Sequence, residues 1–202
     1  MKRFLLPLAV LLSVVAGGSV LAVDPLPELV AQTLQDVREQ EKLSHDVYLY
    51  FSGLYVDQHP GQNIFARVTE AEQRHMDAVL QLLQKYGVAD PVAVDGVVTA
   101  PGEFPDQVVE DLYAAYVEQG EAGLAQALEA AVAIETADIA RLESGIVGES
   151  ASYADILQVY TSLLASSQRH LAAFVKVLGQ TDPDGELVAT DAQPSGYANG
   201  RW

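Results

Sequence analysis

Apolar residues recur at helical spacing in four long stretches of the chain. In the first, Val30, Leu34, Val37, Ser44 and Tyr48 follow the helical period. They predict one helix from Leu26 to Tyr55, beginning after Asp24-Pro25 and Pro27 and stopping before the turn at residues 59–63, HPGQN. In the second, Ile64, Val68, Ala71, Met76, Val79, Leu82 and Leu83 predict a helix that starts after Asn63, a capping residue, and runs to Tyr86, with Gly87 as terminator. A third long helix is expected from Gly123 to Ser144, stopped by Gly145, and a fourth from Ser152 to Leu178, closed by Gly179.

Between the second and third long helices lie residues 88–105, VADPVAVDGVVTAPGEFP. They carry three prolines and two glycines and read as an irregular connection. A short helix from Asp106 to Glu118, ending at Gly120, follows it. The segment 92–98, VAVDGVV, is the only candidate strand, and it is short. Short links within each helix pair and a long one between the pairs predict an all-α fold. The expected architecture is a ferritin-like four-helix bundle with a long crossover that carries an extra short helix.

The apolar stripes are interrupted near mid-length by groups that a plain bundle would replace with Leu or Ala. In the first helix the stripe reaches Glu41, while Glu39 and Lys42 are expected to point elsewhere. The second helix places Glu72 and His75 three residues apart, and hence on one face. The third helix has Glu135 and Asp138 between Ala131 and Leu142, and the fourth has Ser167 and His170 between Leu163 and Phe174. Each residue alone has an ordinary reading: a Glu at a helix edge in water, a hydrogen-bonded His, an i, i+4 surface contact between Glu41 and His45. Their shared depth in all four helices changes that reading. A buried cluster of Glu41, Glu72, Glu135 and Asp138 would carry up to four negative charges, so several would have to protonate unless cations were present.

Two divalent ions would neutralise four carboxylates and engage both imidazoles. Oxygen and nitrogen donors without sulfur suit iron, manganese or zinc, and iron is the metal expected here. Dinuclear carboxylate centres in ferritin-like bundles take a Glu from each of two helices and Glu-x-x-His from each of the other two. Here Glu72-Gln73-Arg74-His75 has that motif intact. Ser167-Gln168-Arg169-His170 lacks its Glu, and Asp138 is a surplus acid on the third helix.

Composition narrows the class further. Residues 1–22 have Lys2 and Arg3, then FLLPLAVLLSVV, then the small-residue stretch GGSVLA, the order of a secretory signal peptide. Pro7 and Gly17-Gly18 interrupt the apolar run and argue against a permanent span; a retained N-terminal anchor is the alternative. The expected organisation is a signal peptide at 1–22, a bundle domain at 23–180 and a flexible C-terminal tail at 181–202, with the mature protein periplasmic or secreted. No stable membrane span is expected after cleavage. Removing the leader takes away Lys2 and Arg3 and no acid, leaving nine basic against 28 acidic residues, a net charge near −19. Such a surface repels phosphate backbones, which argues against nucleic acid as a partner. The chain has no cysteine, which excludes a lipid-anchored lipoprotein, a thiolate metal site, an iron–sulfur centre and a thiol nucleophile.

Four segments carry a resemblance: EKLSHDVYLYF (41–51), EAEQRHMDAVLQLLQKYGVADP (70–91), AIETADIARLE (133–143) and SSQRHLAAFVKVL (166–178). Together they resemble the bacterial and archaeal ferritin-like family DUF2202 over about residues 30–179, and more distantly rubrerythrin. The resemblance implies a metal role for Glu41, Glu72, His75, Glu135 and His170, with Asp138 as a further candidate. His45 stands where the family often has Arg, and Ser167 where a rubrerythrin-type chain has Glu. Three functions follow as expectations. The first is a di-iron or mixed-metal centre reactive with oxygen or peroxide, which without cysteine would need an external electron donor. The second is a non-enzymatic envelope protein that binds or senses a metal. The third is a bundle whose acids and histidines form a hydrogen-bonded network only. A homodimer is a further candidate assembly. Tyr48 and Tyr160 lie on the same stripes, either as core aromatics or as hydrogen-bond donors to the cluster.

Overall fold

The structure, a computed structural model, describes residues 24–56 and 63–181. The expected leader and all but the first residue of the expected tail lie outside them. The described chain is all-α apart from one small hairpin. In chain order it has α1 (Glu28–Leu54), α2 (Ile64–Tyr86), β1 (Ala93–Val94), β2 (Val97–Val98), α3 (Gln107–Glu121), α4 (Leu124–Val147), a 3-10 turn (Glu149–Ser152) and α5 (Ala154–Leu178).

Local chemistry sets most of these boundaries. Asn63 caps α2 by accepting from the Ala66 N–H, and Gly87 closes it in the left-handed region at φ 66°. Asp106 caps α3 by accepting from the Val108 N–H at 2.7 Å. The segment at 92–98 forms two paired strands, with Ala93 opposite Val98. Asp95 and Gly96, both at positive φ, make the turn between them, the pairing that a two-residue hairpin turn requires.

Two glycines expected to end helices lie inside them. A Cβ on Gly120 would stand 2.1 Å from the Phe51 ring, and one on Gly145 would stand 2.6 Å from the Tyr160 ring. These positions admit an aromatic ring directly against the helix backbone, so α3 and α4 continue through them. Packing, not termination, is their role.

α1 packs mainly on α2, and α4 on α5. Two apolar clusters fill the bundle. One joins Tyr48 and Phe51 of α1, Tyr55 just beyond its end, Phe65 and Val68 of α2, Leu128 and Ile134 of α4, and Phe174 of α5. The other joins Val30, Leu34 and Val37 of α1, Val79 and Leu83 of α2, Leu142 of α4, and Ile156 and Leu163 of α5. The C-terminal end of α2 thus lies in one cluster and the N-terminal end of α4 in the other. The connection 88–123 must travel the length of the bundle, which is the crossover that the sequence predicts. No helix among the described residues is long and apolar enough to cross a membrane.

Lys42 points away from the stripe, as expected, and is buried against the crossover. Its Nζ lies 2.5 Å from Asp46 Oδ2, donates to the carbonyls of Ala100 (3.1 Å) and Glu103 (3.2 Å), and sits 4.3 Å from the centre of the Phe104 ring. Arg38 is buried beside it. It forks onto Asp90 through Nε (3.1 Å) and Nη2 (3.0 Å) and donates from Nη1 to the Met76 carbonyl (3.0 Å). These two cations hold the crossover to α1.

Candidate metal centre

Between the two apolar clusters lies a single polar layer. Glu41 follows Val37 on α1, Glu72 lies between Val68 and Val79 on α2, Glu135 and Asp138 between Ile134 and Leu142 on α4, and His170 between Leu163 and Phe174 on α5. All are buried: Glu41 is 0% exposed, Glu72 and Glu135 1%, Asp138 3%, His75 8% and His170 9%. Charges at this depth demand partners.

Glu72 is the hub. Its Oε2 lies 2.8 Å from His75 Nδ1, and its Oε1 lies 2.9 Å from His170 Nδ1. His75 Nδ1 is also 3.1 Å from Glu41 Oε2, and His170 Nδ1 is 3.5 Å from Glu135 Oε1. The imidazoles stack with centres 5.7 Å apart at 23°. Two groups of donor atoms result, Glu41–Glu72–His75 and Glu72–Glu135–His170, each with its atoms within 4.8 Å of one another and every member buried. Either group can hold a metal ion, and Glu72 belongs to both.

Not every donor is occupied by its neighbours. Glu41 Oε1, Glu72 Oε1, Asp138 Oδ1 and His170 Nδ1 are buried without a hydrogen-bond partner. Glu72 Oε1 and His170 Nδ1 are close to each other yet not aligned for a hydrogen bond. Unsatisfied buried oxygens are expensive, and their grouping around one point fits a site built for a cation.

The metal-free layer distributes protons unevenly. Burial raises Glu41 well above the usual carboxylate range, and the charges of Asp138 and Glu72 add to the effect. Burial also lifts Glu135 to about 7 and Asp138 to about 6, against the opposing contact with His170 and hydrogen bond from Ser167 respectively. Burial acts on Glu72 in the same direction, but its contacts with His170 and His75 prevail and hold it at about 2. For His170, burial disfavours the cation, yet Glu135 and Glu72 outweigh it and raise it to about 9. Glu72 as carboxylate thus pairs with His170 as imidazolium, while Glu41, Glu135 and Asp138 keep their protons to higher pH than free carboxyl groups do.

Five of the six sequence-predicted residues form the two donor groups. Asp138 stands outside both, with its Oδ2 accepting from Ser167 Oγ at 2.6 Å. Ser167 thus fills the position of the missing α5 acid by holding the surplus acid of α4. Glu41 faces His75, not His45; His45 turns to Asp46 at 2.8 Å. The i, i+4 surface contact is not formed. Tyr48 reaches the layer and donates to Glu135 Oε1 at 3.0 Å, whereas Tyr160 packs against Gly145 in the second apolar cluster. Sequence reasoning gave Ser166 no place, although its hydroxyl lies 3.3 Å from His170 Nε2. Its only signal is the i, i+4 spacing to that histidine.

Fold and site together define a class: an all-α bundle whose core holds buried carboxylate and imidazole groups able to bind a metal. The chain belongs to the family described as "Uncharacterized protein domain (DUF2202)", which it matches over residues 31–187. It is 39% identical over 154 residues to the uncharacterized protein MJ0754 of Methanocaldococcus jannaschii, a match covering 76% of this chain and 77% of that one. Among solved structures it is similar to the crystal structure of hypothetical protein MJ0754 from Methanococcus jannaschii DSM 2661. The TM-score is 0.66, with 80% of this chain and 86% of that chain covered.

Proposed function

We propose that this protein is an exported dinuclear metal-binding protein, with iron as the leading metal and manganese or zinc as alternatives. One observation carries the reading: two buried donor groups share Glu72 and leave oxygens without partners. Glu41, Glu72 and His75 would hold one ion, and Glu72, Glu135 and His170 the other. Asp138 would be a reserve carboxylate held by Ser167. When bound, iron in such a site supplies redox chemistry toward oxygen or peroxide. The chain's own part is to exclude bulk water with two apolar clusters, to orient Glu135 through the Tyr48 hydroxyl, and to release protons from Glu41, Glu135, Asp138 and His170 as cations enter.

A second reading is a non-catalytic metal binder or sensor, favoured by the absence of any cysteine that could relay electrons within the chain. Elemental analysis of protein purified without added metal tests the common ground, and stoichiometric iron, manganese or zinc is expected. Turnover of hydrogen peroxide by the metal-loaded protein separates the two readings. A metal-free protein that also fails to take up added metal would refute both. The charged, apolar and small-residue order of residues 1–22 supports export to the periplasm or beyond. N-terminal sequencing of the mature protein should begin near Val23, and a start at Met1 would contradict cleavage.

A further inference from the structure

The tripeptide Gln-Arg-His occurs twice, at 73–75 on α2 and at 168–170 on α5, and the centre uses only its histidines. The two arginines have a place of their own. Arg74 and Arg169 are exposed on facing helices and line one cleft with Ala71, His75, Ser162 and Ser166. Among the described residues neither arginine has an acidic partner, nor do Arg67 and Lys176, whereas Arg38, Lys42, Lys85 and Arg141 each do. In a chain with 28 acids and 11 basic residues, two guanidinium groups lining one opening offer a local attraction to an anion.

The cleft is built to admit a ligand. Small side chains at Ala71, Ala78, Ser162 and Ser166 leave about 330 Å³ between α2 and α5, at the low end of the range for small-molecule sites. No carboxylate among the described residues lines it. Its polar groups are two guanidinium forks, two hydroxyls and an imidazole, a set rich in donors. His75 commits Nδ1 to Glu72 and Glu41, which leaves Nε2 on the opposite edge of the ring. The Ser166 hydroxyl touches His170 Nε2. A molecule in the cleft therefore lies against the outer edge of His75 and against Ser166, whose hydroxyl contacts His170.

We propose that the α2–α5 cleft is a binding site for a small oxyanion, a phosphate- or carboxylate-bearing molecule, clamped by Arg74 and Arg169 beside His75 and Ser166. Planar guanidinium forks match the paired oxygens of either group. The anion's position next to the centre rests on the metal reading for its role, which is to fill and screen the approach to the donor layer. Its binding does not depend on that reading.

Calorimetric titration of the metal-free, full-length protein with inorganic phosphate, and separately with malonate, tests the proposal at constant ionic strength set with chloride. Saturable binding of at least one anion is expected. Arg74→Gln and Arg169→Gln should each weaken it about tenfold, the double variant should abolish it, and Arg74→Lys with Arg169→Lys should recover part of it. Binding of phosphate alone or malonate alone identifies the head group, and binding of both supports a general oxyanion site. Both arginines are exposed, so circular dichroism melts should show the variants folded like the wild type. Failure of both anions to bind, or binding that is unchanged in the double glutamine variant, overturns the proposal. Because no metal is present, that failure leaves the dinuclear reading untouched, and a failure of metal uptake leaves the anion result standing.

Discussion

Two regions of this bundle bury charge, and they do it in opposite ways. At the crossover, every donor of Lys42 and the whole fork of Arg38 meet acceptors, from Asp46, Asp90 and three backbone carbonyls. In the central layer, four acids face two imidazoles, and four polar atoms are left without partners. The first region is complete as it stands. The second is complete only with added cations or added protons. Burial of charge therefore does not by itself mark a functional site; incomplete satisfaction of that charge does.

The largest effect expected from breaking this comparison lies at the crossover. Lys42→Met removes one member of a buried pair and leaves Asp46 only its contacts with His45 and the Gly102 N–H, a loss of about 3–5 kcal/mol. Denaturant unfolding should show the same loss with and without metal, because the pair is remote from the donor groups in function. A loss confined to the metal-loaded protein would show that the two regions are one unit.

Next comes pH. Glu135, at about 7 when folded, and Glu41, well raised, bind protons more tightly folded than unfolded. Their contribution is complete below the unfolded carboxylate range and is lost as pH rises through the folded values. His170, raised to about 9, follows the same sign, with its loss falling between its ordinary value and about 9. Glu72, held at about 2, acts oppositely but only in acid, below the window in question. The metal-free protein should melt lower at pH 8 than at pH 6, on the order of 5–10 °C. Added divalent metal should stabilise most at pH 8, since its ligands must be deprotonated. Thermal melts that rise from pH 6 to pH 8 without metal would contradict the layer's charge state.

Glu41→Gln should separate stability from binding. It removes a buried acid that is raised by burial and by its acidic neighbours, so the metal-free protein at pH 8 should gain about 1 kcal/mol. The metal-dependent rise in melting temperature should fall sharply in the same variant. The smallest effect is expected from Ser167→Ala, which leaves Asp138 Oδ2 without its donor and should cost about 1 kcal/mol in unfolding measurements. Its effect on metal affinity should be minor beside that of Glu41→Gln.

The two regions also differ in how far the sequence reveals them. The central layer was legible because its residues interrupt four helical stripes at matched depth, and the helical period reports which side chains share a face. The crossover anchors were not. Lys42 and Arg38 sit beside the stripe of α1, and their partners Asp90, Ala100 and Glu103 are more than fifty residues away in an aperiodic segment. The helix start at Asn63 followed from capping chemistry, but Gly120 and Gly145 misled. A glycine that ends a helix and one that admits a ring such as Phe51 or Tyr160 look alike until the facing helix is known. The hairpin at 92–98 was visible only as a single short strand, because each arm has two residues and the Asp95-Gly96 turn lies inside the apolar run.

The most direct measurement is the metal stoichiometry of chelator-stripped protein titrated with ferrous iron under anaerobic conditions, for wild type, Glu72→Gln and Glu135→Gln. Glu72 belongs to both donor groups and Glu135 to one. Wild type should bind two ions per chain, Glu135→Gln should keep one, and Glu72→Gln should lose both or hold them only weakly. A wild type that binds no iron, or a Glu72→Gln protein that binds as wild type does, would contradict a centre built around Glu72.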